Sequence, residues 1–149
     1  MATVTVNDEI GAPLERVFAM FTDLESAARH VAGIKGIEML TPGGFRLGTR
    51  WRETREVLGR LDTADMEVTA FEKNHAYTIT HYKGGARVDT VFSFAPSDHG
   101  TNVSISFGLD GLGLPTGLVA PVTWAIAGKV RDVLSHDLAD LKRTLETGA

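Results

Sequence analysis

The sequence predicts one α+β domain in which a curved antiparallel sheet of seven strands wraps around a long C-terminal helix, with two short helices between strands 1 and 2. Three observations predict it. One alternating run opens the chain and is followed by two short helical signals. Six further strand-like runs come next, punctuated by glycine turns. The last third then changes to a period of three to four. At 149 residues the chain fits one domain, spanning residues 1–149.

Each element follows in order. In residues 3–10, Val4 and Val6 share one face, and Thr3, Thr5 and Asn7 the other. Gly11-Ala12-Pro13 ends this strand, and Pro13 suits the first position of a helix carrying Leu14, Val17, Phe18 and Phe21. Thr22-Asp23-Leu24-Glu25 has the capping-box pattern, so a second short helix is expected from there to about His30. Strands are expected over Ile34–Leu40, Arg50–Leu58, Thr63–Phe71, His75–Lys83, Arg87–Ala95 and Asn102–Leu109. Gly84-Gly85 between the fourth and fifth of these is a two-residue hairpin signal. Leu118, Val122, Ile126, Val130, Val133, Leu134, Leu138, Leu141 and Leu145 form one apolar stripe, and Pro121 either begins its regular part or kinks it.

Composition excludes several function classes. Fifteen basic against 19 acidic residues leave a net charge of −4, the wrong sign for a nucleic-acid footprint or for docking on anionic lipid. With no cysteine there is no disulfide, thiolate nucleophile or cysteine metal site. No two histidines share a metal-ligand spacing, and phosphate-loop, nucleophile-elbow and dinucleotide motifs are missing. Neither a metal nor a cofactor is expected. The opening MATVTVNDEI lacks the pattern of a signal peptide, so a cytoplasmic protein is expected. Gly111–Gly128 is uncharged but rich in glycine and proline, and reads as a loop leading into a helix rather than as a stable membrane insertion. Glycines 108, 111, 113 and 117 fall within ten residues between the last strand and the long helix, which predicts a flexible gate there.

A sheet curved over a helix has one concave face, and the apolar phase of each strand points into it. Trp51 and Val57 set that phase in the Arg50–Leu58 strand and bring Glu53 and Arg55 with them. The two are read either as a rim salt bridge or as polar groups lining an apolar pocket. Tyr77, Ile79 and His81 share a face of the next strand but one. His81 is the candidate general acid or base, with a strand-rim histidine as the plainer alternative. Asp89 should face out and Thr90 in. Met20, Phe21, Met66, Val68, Ile105, Phe107, Trp124 and Ile126 are the expected pocket walls.

This order of elements is the helix-grip arrangement. The chain resembles the START-like (SRPBCC) superfamily, in particular its polyketide cyclase/dehydrase and lipid transport branch. The resemblance is carried by Ile10-Gly11-Ala12-Pro13-Leu14-Glu15-Arg16-Val17-Phe18 through Thr22-Asp23-Leu24, by Gly48-Thr49-Arg50-Trp51, and by Asp137-Leu138-Ala139-Asp140-Leu141-Lys142. It implies a cavity between sheet and helix that holds a lipid, polyketide or similar apolar small molecule. The alternative it implies is a cofactor-independent cyclase or dehydratase using Glu53, Arg55 and His81. A third reading has the loop 108–120 touching a membrane or partner. Monomer and homodimer are both compatible with the sequence.

Overall fold

The computed structural model describes residues 2–57, 59–110 and 116–147; the side chains of Ala2 and of residues 116–127 lie outside that description. The strands are β1 (Ala2–Ile10), β2 (Ile34–Met39), β3 (Arg50–Val57), β4 (Arg60–Glu72), β5 (Ala76–Lys83), β6 (Ala86–Ser97) and β7 (Gly100–Asp110). The helices are α1 (Leu14–Phe21), α2 (Leu24–His30) and α3 (Thr116–Thr147). The seven strands form one antiparallel sheet in the order β1-β7-β6-β5-β4-β3-β2. β1 and β2 are therefore the two edges, and α1 and α2 make the long crossing between them.

Local chemistry accounts for the joints. Gly84 and Gly85 both take positive φ, 58° and 80°, the geometry of a tight two-residue hairpin between Lys83 and Ala86. At Gly100 a Cβ would lie 2.1 Å from the Ile10 carbonyl oxygen, so only glycine lets β7 pass the end of β1. Register shifts between Ile34 and Gly36 and between Val68 and Ala70 bend the sheet.

Several expected boundaries move. Pro13 is the N-cap of α1, one place before the helix begins. Thr22 does not cap α2. Its hydroxyl donates to the Phe18 carbonyl and closes α1, while the Asp23 carboxylate caps α2 by accepting from the Ser26 amide. β4 runs from Arg60, three residues earlier than the apolar signal begins, because its first residues pair with β3 in an exposed hairpin. Gly108, Leu109 and Asp110 belong to β7, and α3 starts at Thr116 and continues through Pro121, so the expected loop 108–120 is shorter at both ends. Residues 111–115, on which the expected gate falls, lie outside the described residues.

The core occupies one end of the concave face. Leu134, Leu138, Leu141 and Leu145 of α3 pack there with Val17, Phe18 and Phe21 of α1 and with Ile10, Phe94, Val103 and Ile105 of the sheet. Polar contacts fix α3 across this end. The Gly11 amide donates to Glu146 Oε2 at 2.9 Å, and the Ala32 amide to Asp140 Oδ2 at 3.0 Å. Lys142 meets Asp8 at 3.2 Å. Val130 and Val133, nearer the helix start, are only half-buried, and the concave face below them is hollow. Among the described residues no helix is long and apolar enough to cross a membrane.

Candidate functional site

The hollow is a cavity of about 420 Å³ between the sheet and α3. The inward phase of every strand from β3 to β7 reaches it: Trp51, Glu53, Arg55 and Val57 from β3, Ala64 and Met66 from β4, Tyr77, Ile79 and His81 from β5, Thr90 and Phe92 from β6, and Ile105 and Phe107 from β7. Met20, Phe21, Leu24 and Ala27 close the helical side, and Val130, Val133 and Leu134 face them from α3. The residues expected on this wall are thus brought together, with three exceptions. Val68 is fully buried in the sheet's packing and is not part of the lining. The side chains of Trp124 and Ile126 lie outside the described residues.

Aromatic rings build much of the interior. Tyr77 stacks on its cross-strand neighbour Phe92 at 4.6 Å between ring centres, with the planes 18° apart. Phe45, on the connection into β3, makes a T-shaped contact with Tyr77 at 4.8 Å and leans on Trp51 at 6.0 Å. Burial, with Glu53 adding to it, holds the Tyr77 hydroxyl well above its ordinary pKa, so it stays protonated.

One polar network interrupts this apolar wall. Glu53 is buried. Its Oε1 accepts from Trp51 Nε1 at 3.2 Å, and its Oε2 accepts from Arg55 Nε at 2.7 Å. The terminal nitrogens of Arg55 reach across to α3 and grip both oxygens of Asp137, at 3.2 Å and 2.7 Å. Burial pulls the Arg55 pKa down, but Asp137 and Glu53 outweigh it and hold the pKa above its ordinary value. Burial raises the Asp137 carboxyl above its usual range, and Arg55 offsets this only in part. Glu53, buried, and Arg55, half-buried, therefore form a salt-bridged pair that lines the cavity.

Asp137 was not among the residues expected at the site, though its position carried a signal. It falls three residues after Leu134 and four before Leu141, on the apolar stripe itself. Asp62, which faces Arg55 across β3 and β4, also reaches the cavity and pairs outward with Lys83. Glu53 and Arg55 spend their charge on one another and on Asp137, and the candidate acid or base His81 lines the same cavity. Its Nδ1 is buried, with no hydrogen-bond partner among the described residues. Burial lowers its pKa below the ordinary 6.5, against an opposing pull from Glu53.

The lowered His81 pKa has a sign that can be measured. The unfolded chain binds a proton at His81 before the folded chain does, so stability is full above about pH 6.5 and is lost as the pH falls below it. A His81→Phe variant should show a shallower fall in unfolding free energy between about pH 7 and 5. The difference in slope is bounded by about 1.4 kcal/mol per pH unit for one proton. Parallel urea titrations of both proteins that give equal slopes would disprove the assignment.

Comparison with known proteins agrees with this architecture. The sequence profile of the family described as "Polyketide cyclase / dehydrase and lipid transport" matches residues 1–146. The chain belongs to this family. No curated protein is significantly similar to the sequence. A START superfamily protein from Mycobacterium smegmatis superposes with a TM-score of 0.78 at 17% identity, covering 99% of each chain. A Thermus thermophilus protein gives 0.78 at 19% identity, again over 99% of each. The major latex-like protein 151 of Panax ginseng gives 0.76 at 11% identity, covering 96% of each. At these identities the likeness establishes the helix-grip fold alone, and function rests on the site.

Proposed function

We propose that this polyketide cyclase/dehydrase and lipid transport family member binds an apolar small molecule inside the cavity between its sheet and α3. The observation that carries the reading is the cavity itself. Its volume of about 420 Å³ falls in the range of small-molecule sites, roughly 300–1,000 Å³. Its walls are aliphatic and aromatic apart from a few convergent polar groups. A protein of this size that selected only for stability would fill such a space, because an empty apolar volume forfeits packing energy.

Titration with the uncharged fluorophore N-phenyl-1-naphthylamine tests the reading. Its emission should rise saturably on binding and fall again when an apolar competitor is added. Ile79 lines the cavity from β5, the central strand of the sheet, so Ile79→Trp should weaken binding by about tenfold or more, with the melting temperature held or raised. Absent saturable binding by the native protein, or undiminished binding by the variant, the occupied cavity is the wrong reading.

A further inference from the structure

The polar wall of the cavity carries two anions and one cation. Glu53 and Asp137 share the single guanidinium of Arg55, whose Nε and both terminal nitrogens are each already engaged by a carboxylate oxygen. The three side chains are 9%, 16% and 23% exposed, so water does little to mask the excess negative charge. The other charged lining groups sit in solvent. Lys129 is exposed, and the half-exposed Asp62 pairs with Lys83. Salt and water screen both. Beside the cluster stands Trp51, whose one hydrogen-bond donor, the indole N–H, is already given to Glu53. A carboxylate entering this end would meet two like charges and a cation with no unbalanced charge to offer. A hydroxyl or an ammonium group would find acceptor oxygens.

We propose that the cavity selects ligands with an apolar body and a polar end that donates hydrogen bonds and bears no negative charge, and that it rejects carboxylates. This rests on the binding reading above and adds the chemical class of the ligand. The selectivity is of the kind set by repulsion against the wrong partner, with the apolar body supplying most of the affinity.

Three probes of one chain length, 1-dodecanol, dodecylamine and dodecanoate, decide it by displacement of N-phenyl-1-naphthylamine at about pH 8, where the amine is protonated and the acid ionised. Dodecanoate should bind at least about tenfold more weakly than either of the others. Asp137→Asn, which leaves one anion to one cation, should narrow that ratio several-fold. Glu53→Gln combined with Asp137→Asn, which leaves Arg55 unbalanced, should invert it. Circular dichroism of each variant shows that it is folded, and the single variant decides the matter if the double one is not. Dodecanoate binding on a par with dodecanol, or a ratio unmoved by Asp137→Asn, overturns the charge selectivity while leaving the cavity reading intact. If neither the fluorophore nor any probe binds, the cavity reading falls and this one with it.

Discussion

Replacing Arg55 by methionine should destabilise the protein by about 3–5 kcal/mol, the cost of leaving buried carboxylates without their cation. Glu53 and Asp137 are nearly withdrawn from water, and each takes its ionic partner from the same guanidinium. Without it they face each other across the β3–α3 gap as like charges. Urea unfolding near neutral pH would measure the loss. Two companions make the cause visible. Arg55→Lys keeps the charge but not the planar fork that spans Glu53 and Asp137 together, and should fall between wild type and Arg55→Met. Adding Glu53→Gln and Asp137→Asn to Arg55→Met removes the stranded charges and should restore much of the stability. A loss below about 1 kcal/mol for Arg55→Met would mean that the cluster is solvated like a surface pair.

How far the site could be read from the sequence depended on the element. β3 was legible because a single alternation runs through it: Trp51 fixes the inward phase, and a period of two then carries Glu53 and Arg55 to the same face without further information. The same rule placed Tyr77 and His81 inward on β5 and Thr90 on β6. Asp137 escaped because a helix stripe is read by its apolar members, and a carboxylate among leucines looks like an interruption until its partner is known. That partner is 82 positions away in sequence, on a strand that only the fold brings near. The cap of α2 was misplaced for a local reason. Thr22 and Asp23 are adjacent and both can accept an amide hydrogen bond, and the choice turns on Thr22 bonding back into α1. The early start of β4 was invisible because Arg60, Leu61 and Asp62 gain their order from pairing with β3, and pairing leaves no mark on hydropathy.

The fold separates two tasks along α3. Its later turns, from Leu134 to Leu145, contribute leucines that are buried against α1 and the sheet, and its carboxylates at 140 and 146 take amides from the chain segments on either side of the short helices. This end is filled and cross-linked. The earlier described turns, from Lys129 to Val133, offer smaller or charged side chains over the hollow. Asp137 stands at the boundary, tying the filled end to β3 through Arg55. The filled core and the cavity therefore coexist because they are assigned to different turns of one helix.

Trp51 marks the same boundary on the sheet side, and its replacement should separate packing from hydrogen bonding. The residue is 1% exposed, with Met66 opposite on β4 and Phe45 against its ring. Trp51→Ala should lose about 3–5 kcal/mol, the range for truncating a large buried aromatic side chain. Trp51→Phe keeps a ring in place but removes the indole N–H and leaves Glu53 Oε1 without its donor. That loss should be smaller, about 1–3 kcal/mol, and dominated by the stranded carboxylate oxygen. Glu53→Gln supplied in the Trp51→Phe background removes that charge, and should recover part of the loss if the carboxylate is its source. Because Trp51 also lines the cavity, the alanine variant enlarges it, and a bulky aromatic ligand should raise the variant's melting temperature more than the native protein's. Equal destabilisation by Trp51→Ala and Trp51→Phe in urea titrations would show that the indole acts through its hydrogen bond to Glu53 and not through its volume. The cavity wall would then owe its shape to the ion network rather than to packing.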